Sequence, residues 1–193
     1  LQSTSAAIHR GLDFYYFCYD NEAFSNTGFQ MSSATPFGSK TSTSFPGKSN
    51  PGGTIQRKKD LFEIWRSHKP PYIATISPSH PIDLSNKFEK ASGIKGPKLF
   101  IPFSPCPPGW SFDSSKSVEI AKLAVQTGLW PLKEAVDGIV EHTVVPKFKP
   151  VEEYLKIQNR YDHLFDPVKQ IDVVNIIQKD IDDYWKRYSD NGQ

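Results

Sequence analysis

Residues 14–28 have the sequence FYYFCYDNEAFSNTG, in which an apolar run is followed at once by a polar segment. The run over residues 14–18 predicts a buried strand, and the polar segment contains two asparagines, a threonine and a final glycine. Ligands bind at strand ends in α/β sheets, so this segment is a candidate site for a hard cation, a phosphate or a small polar substrate. An Asx-rich turn leaving a strand has the same composition, and spacing alone leaves both interpretations open.

Outward from this segment, helical and extended patterns alternate along the chain. Helices are predicted over residues 1–11, 55–68, 81–91, 114–127, 151–164 and 168–188, and strands over residues 14–19, 72–76, 98–103 and 138–145. Strands that alternate with helices form mainly parallel sheets that are covered by the helices. The sequence therefore predicts an α/β fold with a mainly parallel sheet flanked by helices, followed by a helical C-terminal tail.

The chain is expected to divide into an α/β domain, residues 1–148, and a helical tail, residues 149–193. The apolar stripes of the tail predict packing surface, either within the chain or against a partner subunit. Residues 29–54 are rich in Ser, Thr, Pro and Gly and predict a long irregular loop. Such a loop is either an ordered functional segment or a flexible excursion, and its composition fits both.

Composition excludes several classes of protein. The 193 residues are 37% hydrophobic and 23% charged with a net charge of +2, which is ordinary for a soluble domain. The sequence has no stripe of basic residues of the kind that binds nucleic acid, and it has no apolar segment long enough to span a bilayer. Two cysteines are too few for a disulfide-built secreted domain, so we expect a reducing cytoplasm.

The first residues read as the middle of a helix. Leu1, Ser5 and Ile8 share one face, and Gly11 ends the pattern, but no capping segment or strand stands before them. We therefore expect an N-terminal portion of the native protein to precede Leu1.

Magnesium prefers about six oxygen ligands and often shares them with a substrate phosphate. The amide oxygen of Asn21 and the backbone carbonyl of Ala23 are candidate ligands within the polar segment. Strand alternation points Asp20 and Glu22 away from Asn21. The carboxylate that such a site normally needs is therefore expected on a neighbouring strand before Leu1.

The remaining metal-binding residue types give weaker signals. Cys106 lies between prolines at a strand end, where it is either a small buried residue or a cluster ligand, since Cys followed by Pro recurs in iron–sulfur proteins. Cys18 is expected to lie mid-strand and point into the core. No ligand spacing joins the five histidines, which are expected on the surface or in the core: His9, His68, His80, His142 and His163.

Several motifs together resemble one family. They are Cys18–Gly28, Ser33–Gly38, Pro71–Thr75, Gly96–Lys98, Pro105–Trp110, Leu123–Leu132 and Pro150–Leu155. In this order they closely resemble the thiamine-diphosphate-binding β subunit of pyruvate:ferredoxin oxidoreductase and its 2-oxoacid relatives. The resemblance covers about residues 1–165.

This resemblance implies a role for each candidate residue. Asn21 matches a magnesium ligand and Ala23 a backbone-carbonyl ligand, while Asn26 matches a catalytic polar residue beside the thiazolium and the substrate. Thr27 matches a position next to the diphosphate, and the cofactor-binding set is Asn21, Ala23, Ser25, Asn26, Thr27 and Gly28. Cys106 matches the fourth ligand of a [4Fe–4S] cluster. A Gly-Asp-Gly motif and the other three cysteines are expected before Leu1.

The implied activity is oxidative decarboxylation of pyruvate to acetyl-CoA and carbon dioxide, with electrons passing through the cluster to ferredoxin. The implied cofactors are thiamine diphosphate, Mg²⁺ and the [4Fe–4S] cluster. The implied partners are other subunits of alpha, gamma and delta type, ferredoxin, a 2-oxo acid and coenzyme A. The alternatives are the same machinery acting on oxalate or on an aryl or branched-chain 2-oxo acid, and a non-catalytic scaffolding subunit.

Overall fold

The structure of the protein is a computed structural model, and it describes residues 2–189. The chain forms two compact units. The sheet unit comprises the residues up to Asp20 together with Asp60–Ser104 and Pro131–Val145. The loop–helix unit comprises Asn21–Lys59, Pro105–Trp130 and the residues from Pro146 onward.

The sheet unit contains five strands in the spatial order β1-β3-β2-β4-β5. They are β1 (Tyr15–Phe17), β2 (Tyr72–Ile76), β3 (Lys98–Pro102), β4 (Lys133–Val136) and β5 (Ile139–His142). Strands β1, β3 and β2 are parallel, whereas β4 pairs antiparallel with β2 and with β5. The predicted α/β fold is confirmed, and the sheet is mixed because the β4–β5 hairpin adds two antiparallel strands to the three parallel ones.

Three helices belong to the sheet unit: α1 (Gln2–His9), α2 (Leu61–Arg66) and α3 (Pro81–Ser92). Helix α3 begins at a proline, whose fixed φ suits the first helical position. Its residues Leu84, Phe88 and Ala91 pack with the side chains of β2 and β3. All five residues of β2 are buried, because this strand lies at the centre of the sheet. A continuous apolar run is typical of such a strand.

The expectation that residues 14–18 form a buried strand is wrong for one face. Strand β1 lies at the sheet edge among the described residues, so Tyr15 and Phe17 remain 41% and 38% exposed. Cys18 follows the strand and is half-buried, although its N–H still donates to the carbonyl of Phe100 at 2.9 Å. The apolar composition predicted a strand correctly but did not show how many neighbours it has.

Strand β4 was not predicted, because it contains Lys133 and Glu134. Both side chains are buried, and each has a charged or polar partner. Glu134 accepts a hydrogen bond from the hydroxyl of Tyr72 at 2.6 Å and is paired with Lys90, while Nζ of Lys133 lies 3.8 Å from a carboxylate oxygen of Glu63. Pairing with groups on the neighbouring strand and on helices α2 and α3 offsets the penalty that makes charged residues rare in buried strands.

Two predicted helices are shorter than expected. The helix expected over residues 55–68 spans only Leu61–Arg66, where the side chain of Asp60 accepts a hydrogen bond from the N–H of Glu63 and caps the first turn. The helix expected over residues 151–164 ends at Lys156 and is followed by a 3-10 helix, Asn159–Leu164. Capping by Asp60 therefore accounts for the later start of α2, whereas the second helix continues as a tighter 3-10 turn.

Among the described residues, the loop–helix unit contains four α-helices: α4 (Pro107–Trp110), α5 (Ser117–Gln126), α6 (Val151–Lys156) and α7 (Ile171–Ser189). A second 3-10 helix, Ser114–Lys116, precedes α5. The predicted stripe of α7 is confirmed as packing surface through Val174, Ile177, Ile181 and Trp185, all of which are buried. The indole N–H of Trp185 donates to the carbonyl of Gly128 at 2.9 Å and so ties α7 to the end of α5.

The Ser- and Thr-rich loop contains a network of buried hydroxyls. Thr54 donates to the carbonyl of Ser39 at 2.7 Å, and its hydroxyl lies 2.7 Å from that of Ser44. The Ser44 hydroxyl lies 2.7 Å from that of Thr41. Thr41 and Thr54 are buried, and these hydrogen bonds give both hydroxyls the partner that buried polar groups need.

No helix within residues 2–189 is long and apolar enough to cross a membrane.

The proposed boundary between two domains at residue 148 stays a prediction.

His142, in β5, provides a prediction on pH dependence. Burial, together with the charges of Lys133 and Lys87, lowers its pKa from 6.5 to about 4. Between these values the unfolded chain binds a proton that the folded protein does not, so the free energy of unfolding falls as the pH falls from about 6.5 to about 4. We expect His142→Gln to flatten this dependence in urea unfolding at several pH values. His9→Gln, on the exposed surface of α1, should keep the wild-type slope, and an unchanged slope in His142→Gln would contradict the assignment.

Candidate functional site

The polar segment that follows β1 is a closed loop within the loop–helix unit. Phe24 and Gln30 exchange two backbone hydrogen bonds, at 3.0 and 3.2 Å, and the N–H of Gly28 donates to the carbonyl of Ser25 at 3.3 Å. Gly28 has a φ of 111°, a conformation that glycine adopts without strain. The loop therefore presents residues 25–28 at its tip.

Asn21 begins the loop and is half-buried. Its side-chain oxygen accepts a hydrogen bond from the N–H of Ala23 at 3.4 Å, which is the geometry of an Asx turn. Its backbone carbonyl accepts a hydrogen bond from the indole N–H of Trp110 at 3.1 Å. Both oxygens of Asn21 are thus oriented by the protein, and the side-chain oxygen is held only by a long contact.

The other predicted residues differ in exposure. Asn26, Thr27 and Gly28 are exposed, and the hydroxyl of Thr27 contacts the side-chain oxygen of Gln30. The hydroxyl oxygen of Ser25 is buried and has no hydrogen-bond partner within residues 2–189. A buried hydroxyl without a partner is costly, so this atom is a candidate for contact with a bound ligand.

Glu22, between the two predicted magnesium ligands, lies in a buried ion pair. Its carboxylate lies 2.7 Å from Nη2 of Arg160 and 2.8 Å from Nζ of Lys58. The side chains of Glu22 and Arg160 are each only 1% exposed. Burial by itself would raise the pKa of Glu22, but the charges of Lys58 and Arg160 outweigh it and lower the pKa below its ordinary value. The carboxylate is therefore charged and engaged in the fold.

Glu22 also has a strained backbone. Its φ is 63°, in the left-handed region, which costs a residue with a side chain about 1–2 kcal/mol. Its carbonyl accepts a hydrogen bond from the hydroxyl of Thr35 at 2.7 Å. The ion pair and this hydrogen bond hold the chain in the turned conformation that separates Asn21 from Ala23.

Arg160 is surrounded by polar and aromatic partners. It donates to the side-chain oxygen of Gln158 at 2.8 Å and to the hydroxyl of Tyr154 at 2.9 Å. Its guanidinium carbon lies 3.7 Å from the ring centroid of Trp110, in a stacked cation–π contact. Burial opposes the charge of Arg160, but nearby Tyr161 and Glu22 favour it, and the net effect raises the pKa of Arg160.

Cys106 precedes α4 and is half-buried. Its thiol makes no capping hydrogen bond, while its carbonyl accepts one from the N–H of Trp110 at 2.8 Å. A Cβ placed on Gly109 would lie 2.4 Å from the ring of Phe29 and 3.2 Å from the sulfur of Cys106. The absence of a side chain at Gly109 therefore lets Phe29, just past the loop tip, pack beside the cysteine segment.

The structure thus brings Cys106 and the loop together through Trp110 and Phe29. No group of three or more His, Cys, Asp or Glu side chains within residues 2–189 is arranged to hold a metal ion. The predicted magnesium ligands are a side-chain amide and a backbone carbonyl, so they would not form a site made of His, Cys, Asp or Glu side chains. Cys106 by itself can supply only one ligand of an iron–sulfur cluster.

Sequence reasoning missed the residues that hold the loop, namely Glu22, Lys58, Trp110 and Arg160. Glu22 was expected to point away from Asn21, and it does so into the buried ion pair. The available signal was an arginine between Tyr154 and Tyr161 in a stripe that was interpreted as packing surface. A charged residue in such a stripe indicates a buried partner elsewhere in the chain.

The chain is similar in sequence to a known family and to subunits of known enzymes. A sequence model of the family described as thiamine pyrophosphate enzyme, C-terminal TPP binding domain, matches residues 1–101. Pyruvate synthase subunit PorB of Methanosarcina barkeri is 49% identical over 168 residues, which are 86% of this chain and 56% of that protein. Ketoisovalerate oxidoreductase subunit VorB of Pyrococcus horikoshii is 41% identical over 190 residues, which are 97% of this chain and 59% of that protein.

Among solved structures, a 2-oxoglutarate:ferredoxin oxidoreductase from Magnetococcus marinus, with 2-oxoglutarate, coenzyme A and succinyl-CoA bound, matches with a TM-score of 0.48 and 17% identity. The match covers 61% of this chain and 38% of that chain. This chain spans somewhat more than half the length of the two curated relatives described above.

Proposed function

Because this chain belongs to the thiamine pyrophosphate enzyme family, we propose that its loop binds thiamine diphosphate and Mg²⁺ in a subunit of a pyruvate:ferredoxin oxidoreductase. The observation that carries the proposal is the loop itself. It lies within the matched residues 1–101, and it contains a buried Ser25 hydroxyl that no residue within 2–189 satisfies. The high identity to pyruvate synthase subunits supports pyruvate as the substrate.

The donors present fit this group. The side-chain oxygen of Asn21 and the backbone carbonyl of Ala23 would bind Mg²⁺, which prefers oxygen ligands. Ser25, Asn26, Thr27 and Gly28 would line the cofactor. By the resemblance, the carboxylate ligand lies on a Gly-Asp-Gly motif outside these residues.

When bound, thiamine diphosphate supplies the chemistry that cleaves the bond between a 2-oxo group and its carboxylate. The residues of this chain contribute position and polarity. The exposed amide of Asn26 would donate a hydrogen bond to the oxygen of the 2-oxo group, where negative charge develops. The Cys106 thiolate would ligate one iron of a [4Fe–4S] cluster, for which it is available because it makes no capping hydrogen bond.

The proposed partners are the other subunits of alpha, gamma and delta type, with ferredoxin as electron acceptor and coenzyme A as second substrate, in the cytoplasm. The C-terminal tail, residues 149–193, is proposed to contact another subunit. Val168, Ile171 and Ile176 of this region are 66%, 48% and 36% exposed, which supports such a contact.

A branched-chain 2-oxo acid is the alternative substrate. It is favoured by the 41% identity to a ketoisovalerate oxidoreductase subunit over 97% of this chain.

The test is purification of the full-length protein with its associated subunits, followed by a panel of 2-oxo acids with and without coenzyme A. Reduction of a low-potential acceptor fastest with pyruvate supports the proposal, and a preference for 2-oxoisovalerate supports the alternative. Failure to bind thiamine diphosphate would instead indicate the non-catalytic scaffold.

Asn26 provides a direct test of the proposed chemistry. Asn26→Ala removes a donor to the developing charge, and a loss of about 10²–10³-fold in kcat is expected with cofactor bound. The measurement is steady-state turnover at saturating thiamine diphosphate, with cofactor content determined separately. Asn86→Ala, the same substitution on the exposed face of α3, is the control and should leave turnover unchanged. Unchanged turnover in a fully loaded Asn26→Ala enzyme would show that Asn26 has no catalytic role.

A further inference from the structure

One indole N–H is among the groups that hold the loop between Asn21 and Ala23. The carbonyl of Asn21 accepts its hydrogen bond from Nε1 of Trp110 at 3.1 Å, and the next carbonyl, that of Glu22, accepts from Thr35 at 2.7 Å. Two successive peptide groups are therefore oriented by side chains from other segments. The orientation of the peptide group between Asn21 and Glu22 fixes the backbone from which the Asn21 side chain projects, so the Trp110 contact helps to place that side chain. The side-chain oxygen is held in addition by the N–H of Ala23 at 3.4 Å.

Trp110 is itself held rigidly. It is fully buried, and its ring is stacked against the guanidinium of Arg160 at 3.7 Å. Arg160 in turn is paired with Glu22, the residue next to Asn21. The contacts therefore connect Asn21 through Trp110 and Arg160 to Glu22, which is the next residue in the chain after Asn21.

The backbone of Trp110 belongs to the segment of Cys106. Its N–H donates to the carbonyl of Cys106 at 2.8 Å within α4. The indole therefore reaches from the cysteine segment to the first residue of the loop. Neighbouring groups that orient metal ligands in this way typically change metal affinity about 10–100-fold when removed.

We propose that Trp110 is a positioning residue that orients Asn21 for Mg²⁺ binding through the hydrogen bond from its indole to the Asn21 carbonyl. The inference rests on the proposed function, since it takes Asn21 as the magnesium ligand. Trp110 touches neither the metal nor the substrate in this scheme and acts only through the loop.

The test uses the full-length protein with its associated subunits, and Mg²⁺ is titrated by calorimetry at saturating thiamine diphosphate. Trp110→Phe removes the N–H and keeps an aromatic ring against Arg160, and an affinity loss of about 10–100-fold is expected. Trp65→Phe is the matched control, because Trp65 is 2% exposed and its indole N–H has no hydrogen-bond partner within residues 2–189. It should bind Mg²⁺ with wild-type affinity.

A second variant guards against loss of folding. Replacement of Trp110 by benzothienylalanine keeps the bicyclic shape and deletes only the N–H, so packing against Arg160 is retained. The affinity loss should persist in this variant while its circular dichroism and thermal unfolding match the wild type. Wild-type affinity in this variant would overturn the proposal.

A double-mutant cycle separates positioning from general destabilisation. In an Asn21→Ala background the side-chain ligand is gone, so removing the Trp110 N–H should have little further effect on Mg²⁺ affinity. Additive losses would show that Trp110 acts on folding alone and would also overturn the proposal. If the wild-type protein binds neither Mg²⁺ nor thiamine diphosphate, the proposed function fails; if it binds both and the Trp110 variants bind equally well, only this inference fails.

Discussion

Replacement of Cys106 by Ser is expected to abolish transfer of electrons from a 2-oxo acid to an external acceptor. If Cys106 is the last of four thiolate ligands, its loss leaves a [4Fe–4S] cluster incompletely ligated, because serine is a poor substitute for a soft thiolate ligand. The expected change is a loss of about four iron atoms per subunit together with the electron paramagnetic resonance signal of one reduced cluster. This prediction rests on the proposed function.

The matched control for Cys106 is Cys18→Ser, in the sheet unit. Cys18 is also half-buried. Its backbone N–H, which serine retains, donates to the carbonyl of Phe100 at 2.9 Å. The control should keep the full iron content and the spectrum of the wild type. Thiamine diphosphate should still bind to the Cys106→Ser protein, because the proposed ligands of the cofactor lie in the loop. A wild-type iron content and spectrum in Cys106→Ser would exclude Cys106 as a ligand.

Replacement of Arg160 by Met is expected to lower the free energy of unfolding by about 3–5 kcal/mol, which is the usual effect of breaking a buried ion pair by removing one partner. Met preserves much of the buried volume, but it leaves the carboxylate of Glu22, which is 1% exposed, with Lys58 as its remaining charged partner in the pair. The hydroxyl of Tyr154 and the side chain of Gln158 also lose a donor. Urea unfolding of the purified protein measures the change.

The control is Lys40→Met, which breaks an ion pair with Asp162 in the same unit. Its side chains are 27% and 52% exposed, so solvent screens the pair and the expected change is at most about 1 kcal/mol. The double variant Glu22→Gln with Arg160→Met should regain part of the lost stability, because the buried side chain that lost Arg160 is then no longer charged. Equal losses for Arg160→Met and Lys40→Met would show that the buried pair has no special weight.

The same ion pair predicts a dependence on pH. Lys58 and Arg160 outweigh burial and lower the pKa of Glu22 in the folded protein, so the ionised pair stabilises the fold above the ordinary pKa of a carboxyl. That contribution is lost as the pH falls through the lowered pKa of the folded state. The difference in stability between wild type and Arg160→Met should therefore narrow below about pH 4.

Local sequence patterns predicted much of the sheet unit. The order of α1, β1, α2, β2, α3 and β3 followed from apolar runs separated by proline and glycine, because these signals act over a few residues. The β4–β5 hairpin was predicted only in part, because the charged residues Lys133 and Glu134 give β4 a pattern that is typical of an exposed segment. The resemblance named every candidate site residue, and the roles of these residues stay predictions. The residues from Asn21 to Gly28 lie in one loop because they are contiguous in the chain.

By itself the sequence determined the alternating α/β pattern and the polar loop after the first strand, because composition and periodicity are local properties of a segment. The family was predicted by the resemblance of several motifs in order, which is also a property of the sequence alone. Only the tertiary structure decided that Glu22 is buried against Arg160 and that Trp110 bonds the carbonyl of Asn21. These partners are far apart in the chain and carry no shared local pattern. Their buried charges are maintained by the charged and polar groups around them, and only the packed fold brings those groups together.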